Sequence, residues 1–346
     1  MATIYEVSKL AGVSLATVSR VMNNNANVSD ATRKKVTLAM EELGYRPNSI
    51  AQSLASNCSN SAGLLVSELK GPFYGPMMSG IENTLRNQGK HVIITAGHSD
   101  AEREQQGIEF LISRNCDALI LHVEAISDEY LIKLSKGKTP FVLLNRYIEE
   151  LADRCIILDN TKGGYLATKY IIESGHKDIA YISGPLWKKD AQERLNGHKQ
   201  ALDEFAIKFD ENNLFEGDFV EESGYEGFAT LYKNNPAFTA LVCANDEMAT
   251  GAMVSAREHG IQLPSQLSII GYDNVFFTRH VYPPLSTINY PIDEMGKVAA
   301  QWVLSHVYQK SVHPIQTLFE PELVIRQSVV KTFSIKGSKK GVKQAD

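Results

Sequence analysis

At 346 residues, 43% of them hydrophobic, the chain is longer than a single core usually serves and has apolar side chains enough for two or three folded units. No apolar run approaches the ~20 residues that span a bilayer, and the N-terminus enters a capped helix rather than a signal peptide. Cys58, Cys116, Cys155 and Cys243 make no CxxC or CxxH spacing, so no metal site, disulfide framework or cofactor is expected and a cytoplasmic setting fits.

Thr3 is placed to cap a first helix, with Glu6 completing a capping box and Ile4, Val7, Leu10 and Ala11 recurring as one apolar face. Gly12 supplies a tight turn. Ser14 can cap a second helix with Val18, Val21 and Met22 inward and Leu15, Ala16, Thr17, Ser19 and Arg20 outward. A third helix, capped by Ser29 and stopped at Gly44, buries Val36, Met40 and Leu43. This spacing alone would also suit an ordinary pair of packed helices. The outer face of the second helix separates the two readings: it carries small and hydroxylated residues and one arginine, where a solvated helix carries Glu and Lys pairs. Such a face can lie in a DNA major groove, with its first residues on base edges and its hydroxyls on phosphates. The net charge of −5 hides a division that suits this: residues 1–60 hold six Lys/Arg against four Asp/Glu, and the remaining 29 and 36 give −7. Phosphate attraction is confined to the head.

After the head, Pro47 blocks continuation of the third helix and Asn48 can cap a new one. The helix possible over 49–55 is too short to be stable alone in water, and the polar run 56–61 reads as a linker.

From residue 62, short apolar runs predict strands over 62–66, 91–95, 118–122, 141–144, 156–158, 179–182, 240–243 and 267–270. Amphipathic segments predict helices over 77–88, 102–114, 163–174, 195–205, 224–232 and 248–259, with a last one near 292–307. This alternation means α/β architecture with parallel sheets covered on both faces, and there are too many strands for one sheet. No GxGxxG or GxxxxGK[ST] follows any strand, which counts against a dinucleotide or P-loop site. In such sheets a ligand lies at the carboxyl ends of the strands. Those ends carry Phe73-Tyr74, His122, Asn145-Arg146, Asp159-Asn160, Asn245-Asp246 and Tyr272-Asp273. Each alone could be a cap or turn residue. Together they supply planar partners for vicinal hydroxyls and an aromatic face for the C–H side of a sugar.

Residues 2–21 and the segment Gly44-Tyr45-Arg46-Pro47-Asn48 resemble the start of the LacI/GalR family of bacterial transcription regulators, and the similarity continues to about residue 330. The resemblance implies a helix-turn-helix DNA-binding domain over 1–46 and a hinge helix and linker over 47–61. A two-subdomain, periplasmic-binding-protein-like body follows over 62–330. Its N-subdomain is about 62–159 plus 290–318 and its C-subdomain about 160–289 plus 319–330, with a basic, disordered tail over 331–346. Thr3, Tyr5, Ser14, Leu15, Ala16, Thr17, Ser19, Arg20, Asn23 and Asn27 are carried over as DNA contacts, with Asn48, Ala51 and a minor-groove wedge, Leu54, from the hinge. Effector contacts carried over are Phe73, Tyr74, Arg146, Asp159, Arg194, Phe219, Asn245 and Asp273, with Arg194 as the main clamp.

Stretches such as Leu144-Asn145-Arg146, Gly164-Tyr165-Leu166-Ala167-Thr168 and Asn289-Tyr290-Pro291-Ile292 resemble the galactose-responsive branch, which implies a sugar effector, galactose or a galactoside. The loop Glu68-Leu69-Lys70 departs from the aspartate that many members carry there. The tail lacks the leucine heptads of a tetramerising helix, so a homodimer on a palindromic double-stranded operator is expected. The same acidic strand ends could belong to a glycosidase working with two carboxylates, or to a sugar receptor of similar fold. Neither has use for a DNA-binding head.

Overall fold

The computed structural model describes residues 2–22, 28–46, 58–309 and 315–331. The chain forms two compact units, Met1–Asn60 and Ser61–Asp346.

In the first unit, α1 (Ile4–Ala11) opens with the capping box: the Glu6 amide donates to Thr3 Oγ1 at 3.4 Å and the Thr3 amide to Glu6 Oε2 at 2.7 Å. Gly12 takes a left-handed φ of 65° that lets the chain reverse into α2 (Leu15–Met22), where Ser14 Oγ accepts from the Thr17 amide. The third helix, α3 (Asp30–Glu42), is capped by Ser29. Val7, Val18, Val21, Val36 and Ala39 close the core, with Met40 and Leu43 half-buried beside it. Leu10, expected on the inner face, is 46% exposed; Ile4, Val7 and Ala11 hold that side alone. Asn23, Asn27, Asn48, Ala51, Leu54, the expected hinge helix and tail residues 332–346 lie outside the described residues.

The second unit holds two parallel sheets. Strands β1 (Ser61–Val66), β2 (His91–Ala96), β3 (Ala118–Leu121), β4 (Phe141–Leu144), β5 (Cys155–Leu158) and β11 (Leu318–Phe319) form the first, in the order β11-β5-β4-β3-β1-β2. Strands β6 (Ile179–Ser183), β7 (Leu214–Glu216), β8 (Ala240–Cys243) and β9 (Ser268–Ile270) form the second, in the order β7-β6-β8-β9. β3, β4, β6 and β8 are buried along their whole length, which is why they read as unbroken apolar runs. Helices α4 (Tyr74–Arg86), α5 (Ala101–Ser113) and α6 (Asp128–Leu134) belong to the first lobe. Helices α7 (Asn160–Glu173), α8 (Lys189–Glu204), α9 (Glu221–Asn234) and α10 (Asp246–Glu258) belong to the second.

The chain then recrosses. β10 (Thr287–Asn289) pairs antiparallel with β12 (Glu322–Val324), and between them α11 (Ile292–Tyr308) returns to pack on α4, β3 and β4. β11 brings Phe319 opposite Leu158 in the first sheet. Apolar periodicity gave no sign of β7, β10, β11, β12 or α6, because each is short and owes its place to pairing or packing. α8 begins six residues before the expected 195, since its first turn is polar and faces the space between the lobes.

Candidate effector cleft and DNA-binding face

Segments that follow the carboxyl ends of strands in both lobes converge on a cavity of about 530 Å³ between the lobes. The first lobe contributes Phe73, Tyr74, His122, Glu124 and Asn145, and the second Lys188, Asp190, Arg194, Phe219, Asn245 and Asp273. Six of the eight expected effector residues are thus brought together.

Arg194 is the centre of the lower wall and is only 3% exposed. α8 can carry it there because α7 and α8 touch backbone to backbone. A Cβ on Gly164 would stand 2.0 Å from the Arg194 carbonyl oxygen, and one on Gly197 1.9 Å from that of Thr161. Arg194 Nε donates to Asn160 Oδ1 at 3.0 Å and Nη1 to the Ala244 carbonyl at 2.5 Å, so the guanidinium is fixed in plane. Asp273 Oδ1 lies 3.5 Å and Asp190 Oδ2 3.6 Å away, and the Tyr272 ring stacks at 4.0 Å. Burial works against the charge of Arg194, but these two carboxylates outweigh it and the group stays protonated.

Asp273 sits at a left-handed φ of 108°; burial raises its pKa well above the usual carboxylate range, with Arg194 opposing that shift. Asn245 caps α10 through Oδ1 and donates Nδ2 to the Phe219 carbonyl at 2.8 Å, tying the aromatic ring to the strand end. Asp246, one of the strand-end residues that could have been a cap or turn residue, is instead fully buried. It accepts from Thr287 Oγ1 at 2.6 Å and the Val275 amide at 3.0 Å, holding the recrossing strand β10, and burial lifts its pKa to about 7.

On the upper wall, Phe73 and Tyr74 open α4 with their rings edge to face at 5.3 Å. Burial, then the charge of Glu124, raises the Tyr74 hydroxyl well above its ordinary pKa, so it remains a neutral phenol. Glu124 pairs with Lys188 across the cleft at 2.7 Å, and Ser99 joins both. The loop bearing Glu124 is held from behind by the buried Glu104 carboxylate, which accepts from the amides of Glu124, Ala125 and Ile126 at 2.8–3.2 Å.

Two expected residues stand elsewhere. Arg146 is drawn to Asp128, with Nη2 and Nε 2.7 and 3.1 Å from Oδ1, and does not line the cavity. Asp159 caps α7 by accepting from the Lys162 amide at 2.8 Å; its neighbour Asn160 reaches Arg194 instead. Ser99, Glu124 and Lys188 were not found from the sequence, because what unites them is a contact between lobes.

In the head, Thr3, Tyr5, Ser14, Leu15, Ala16, Ser19 and Arg20 are exposed, as a groove-binding face requires, while Thr17 is half-buried with its hydroxyl 2.9 Å from Ser14 Oγ. Residues 3–48 match bacterial regulatory proteins of the lacI family, and residues 59–327 match periplasmic binding proteins and the sugar binding domain of the LacI family.

The chain belongs to the LacI family.

Its relatives are regulators along the full length. The transcriptional regulator GalR of Escherichia coli is 39% identical over 95% of this chain and 96% of its own. The transcriptional repressor PurR of Aliivibrio salmonicida is 36% identical over 96% of this chain and all of its own. The lac repressor dimer bound to operator and an anti-inducer superposes with a TM-score of 0.85 at 29% identity, over 95% of this chain and 99% of that one. The LacI-family chain is therefore a GalR-like, DNA-binding transcription regulator and not an enzyme. Among the described residues, no cluster of His, Cys, Asp and Glu could hold a metal ion and no helix is long and apolar enough to cross a membrane.

Proposed function

We propose that the protein represses sugar-utilisation genes, binding a palindromic operator as a homodimer and leaving it when a neutral sugar, galactose or a galactoside, enters the cleft. The observation that carries this is Arg194, held in plane between Asp190 and Asp273 beside the Phe219 ring: donors and acceptors for vicinal hydroxyls with an apolar face next to them. The cavity is lined by eight carboxylates and three basic side chains, so an anionic ligand such as a sugar phosphate would be repelled. Phe73, Tyr74, Arg194, Phe219, Asn245 and Asp273 are the assigned effector contacts. Tyr5, Ser14, Leu15, Ala16, Ser19 and Arg20 are the assigned DNA contacts of the described head.

For release, the sugar must bind the lobe arrangement of the free protein more tightly than that of the operator-bound protein, and the difference in affinity sets how far the equilibrium moves. The hinge over 47–61 is the proposed coupling element, its helix pairing with its twin on the operator and melting when the lobes shift. Dimer and operator are supported by the lac repressor complex of the same fold. The test is fluorescence anisotropy on the protein's own upstream promoter fragment at fixed salt, titrated with D-galactose and with galactose 1-phosphate. Release by galactose alone is expected. Tight binding indifferent to galactose removes the effector assignment, tightening by galactose reverses the sense of the response, and failure to bind any duplex removes the regulator reading.

A further inference from the structure

Two buried side-chain atoms without a hydrogen-bond partner in the protein face the same cavity from opposite lobes: His122 Nε2, just past β3, and Asp273 Oδ1, just past β9. Asp273 has Arg194 3.5 Å away. His122 Nε2 has no hydrogen-bond partner, although the charges of Glu124 and Asp190 act on the ring. The ring is 2% exposed and fixed from the other side, with Nδ1 3.1 Å from Ser67 Oγ and the Phe73 and Tyr74 rings edge-on at 6.5 and 5.6 Å. A buried polar atom left unpaired costs stability, and an imidazole kept there at a ligand cavity requires a reason.

The loop that departs from the family pattern lines the cavity with Glu68 and Lys70. Its carboxylate, Glu68, is turned to His98, with Oε1 3.0 Å from Nδ1. We propose that His122 is the residue through which the first lobe recognises the effector, hydrogen-bonding one sugar hydroxyl through Nε2 while Asp273 accepts another from the second lobe. This rests on reading the cavity as a sugar site. A hydroxyl suits the site whichever way the ring is protonated. If Ser67 donates to Nδ1, Nε2–H donates to the ligand; if Nδ1–H donates to Ser67, Nε2 accepts from it. A carboxylate or phosphate could meet only the first form. Burial lowers the pKa of the ring, so it stays neutral and both forms are open to it.

The test compares H122L, which has the bulk without the polar atom, with H122Q, which restores a donor and an acceptor. Galactose-driven release from the operator and the melting temperature of the sugar-free protein are both measured. In H122L the galactose concentration for half-release is expected to rise about tenfold or more while H122Q stays within about threefold of wild type. Operator affinity without sugar should not change, and sugar-free H122L should melt within about 3 °C of wild type, because loss of the Nδ1–Ser67 bond is offset by removal of the unpartnered Nε2. Unchanged galactose response in H122L overturns the proposal. So does a melting temperature of H122L lowered by about 6 °C or more, beyond what the lost Ser67 bond explains, which would make His122 a structural residue whatever the effector is. If wild type itself ignores galactose, the effector assignment falls and the melting comparison still decides the role of His122.

Discussion

Glu124 Oε2 and Lys188 Nζ meet 2.7 Å apart across the effector cleft, one from each lobe, with side chains only 14% and 13% exposed. Lys188 is the residue that precedes α8, the helix that carries Arg194, and Glu124 belongs to a loop pinned by the buried Glu104. The ion pair therefore links the position of Arg194 to the position of the opposite lobe. A pair this sheltered loses more when one partner is removed than when both are, since the remaining charge is left without compensation.

In chemical unfolding, K188M and E124Q are each expected to cost about 1–3 kcal/mol and the double variant less than their sum, a coupling of the order of 1 kcal/mol. Burial disfavours ionised Glu124, but its interactions with His122 and Lys188 and hydrogen bonds from Lys188 and Ser99 prevail and lower its pKa. The contribution of the pair is then complete at neutral pH, above the unfolded carboxylate pKa, and is lost as pH falls through the depressed folded value. Strictly additive single variants would remove the link between lobes.

Arg194 offers a sharper separation of charge from geometry. R194K keeps a cation but has no planar fork to satisfy Asn160 and the Ala244 carbonyl together. It should fold, and its galactose response should weaken by about a hundredfold or more. R194M should also destabilise the protein by about 3–5 kcal/mol, because Asp190 and Asp273 lose their counter-charge. Isothermal titration with galactose and a urea titration read the two effects separately, and an R194K protein that binds sugar like wild type would show that charge alone suffices.

Asp246 is expected to contribute a pH dependence near neutrality. Its folded pKa of about 7, raised first by burial, lies above that of the unfolded chain. Its contribution is therefore present in full below the unfolded pKa near 4 and is lost as pH rises through about 7. Unfolding midpoints at pH 5 and pH 8 should show wild type losing of the order of 1–3 kcal/mol relative to D246N, which does not titrate and can accept from the Val275 amide through Oδ1 while donating Nδ2 to the Thr287 hydroxyl. Parallel pH profiles for the two proteins would place the titration elsewhere.

Arg20 and Leu15 should divide affinity from specificity. If the exposed Arg20 meets a phosphate, R20A weakens all duplexes alike and reduces the salt slope of binding by about 1. Leu15 is 36% exposed at the start of α2; if α2 enters the major groove by this end, exchanging Leu15 should alter preference among operator variants by about 1–3 kcal/mol per base pair. Anisotropy across a panel of single-base operator variants distinguishes them; a salt slope unchanged in R20A would remove the phosphate contact.

Most of the local structure could be read from the chain because its signals are local. Thr3 and Glu6 specify a capping box within four residues, Gly12 a reversal, and the apolar runs at 118–121 and 141–144 buried strands. Strand-end polarity likewise pointed to Asn245 and Asp273 as members of one site, and the family resemblance added Arg194. The misses have one physical cause. Leu10 was assigned inward by a spacing that does not know where the partner helices lie, and Arg146 was assigned to the sugar although Asp128, eighteen residues away in sequence, offers the nearer charge.

The sequence by itself determined the helix-turn-helix head, the α/β alternation of the body and the family, since each rests on residue types at fixed short spacing. Which strand ends share a cavity, that Glu124 reaches Lys188, and that His122 Nε2 is left facing that cavity emerge only once the lobes are assembled. Those facts depend on two lobes assembled by three chain crossings, and burial and long-range pairing have no periodicity along the chain from which they could have been read.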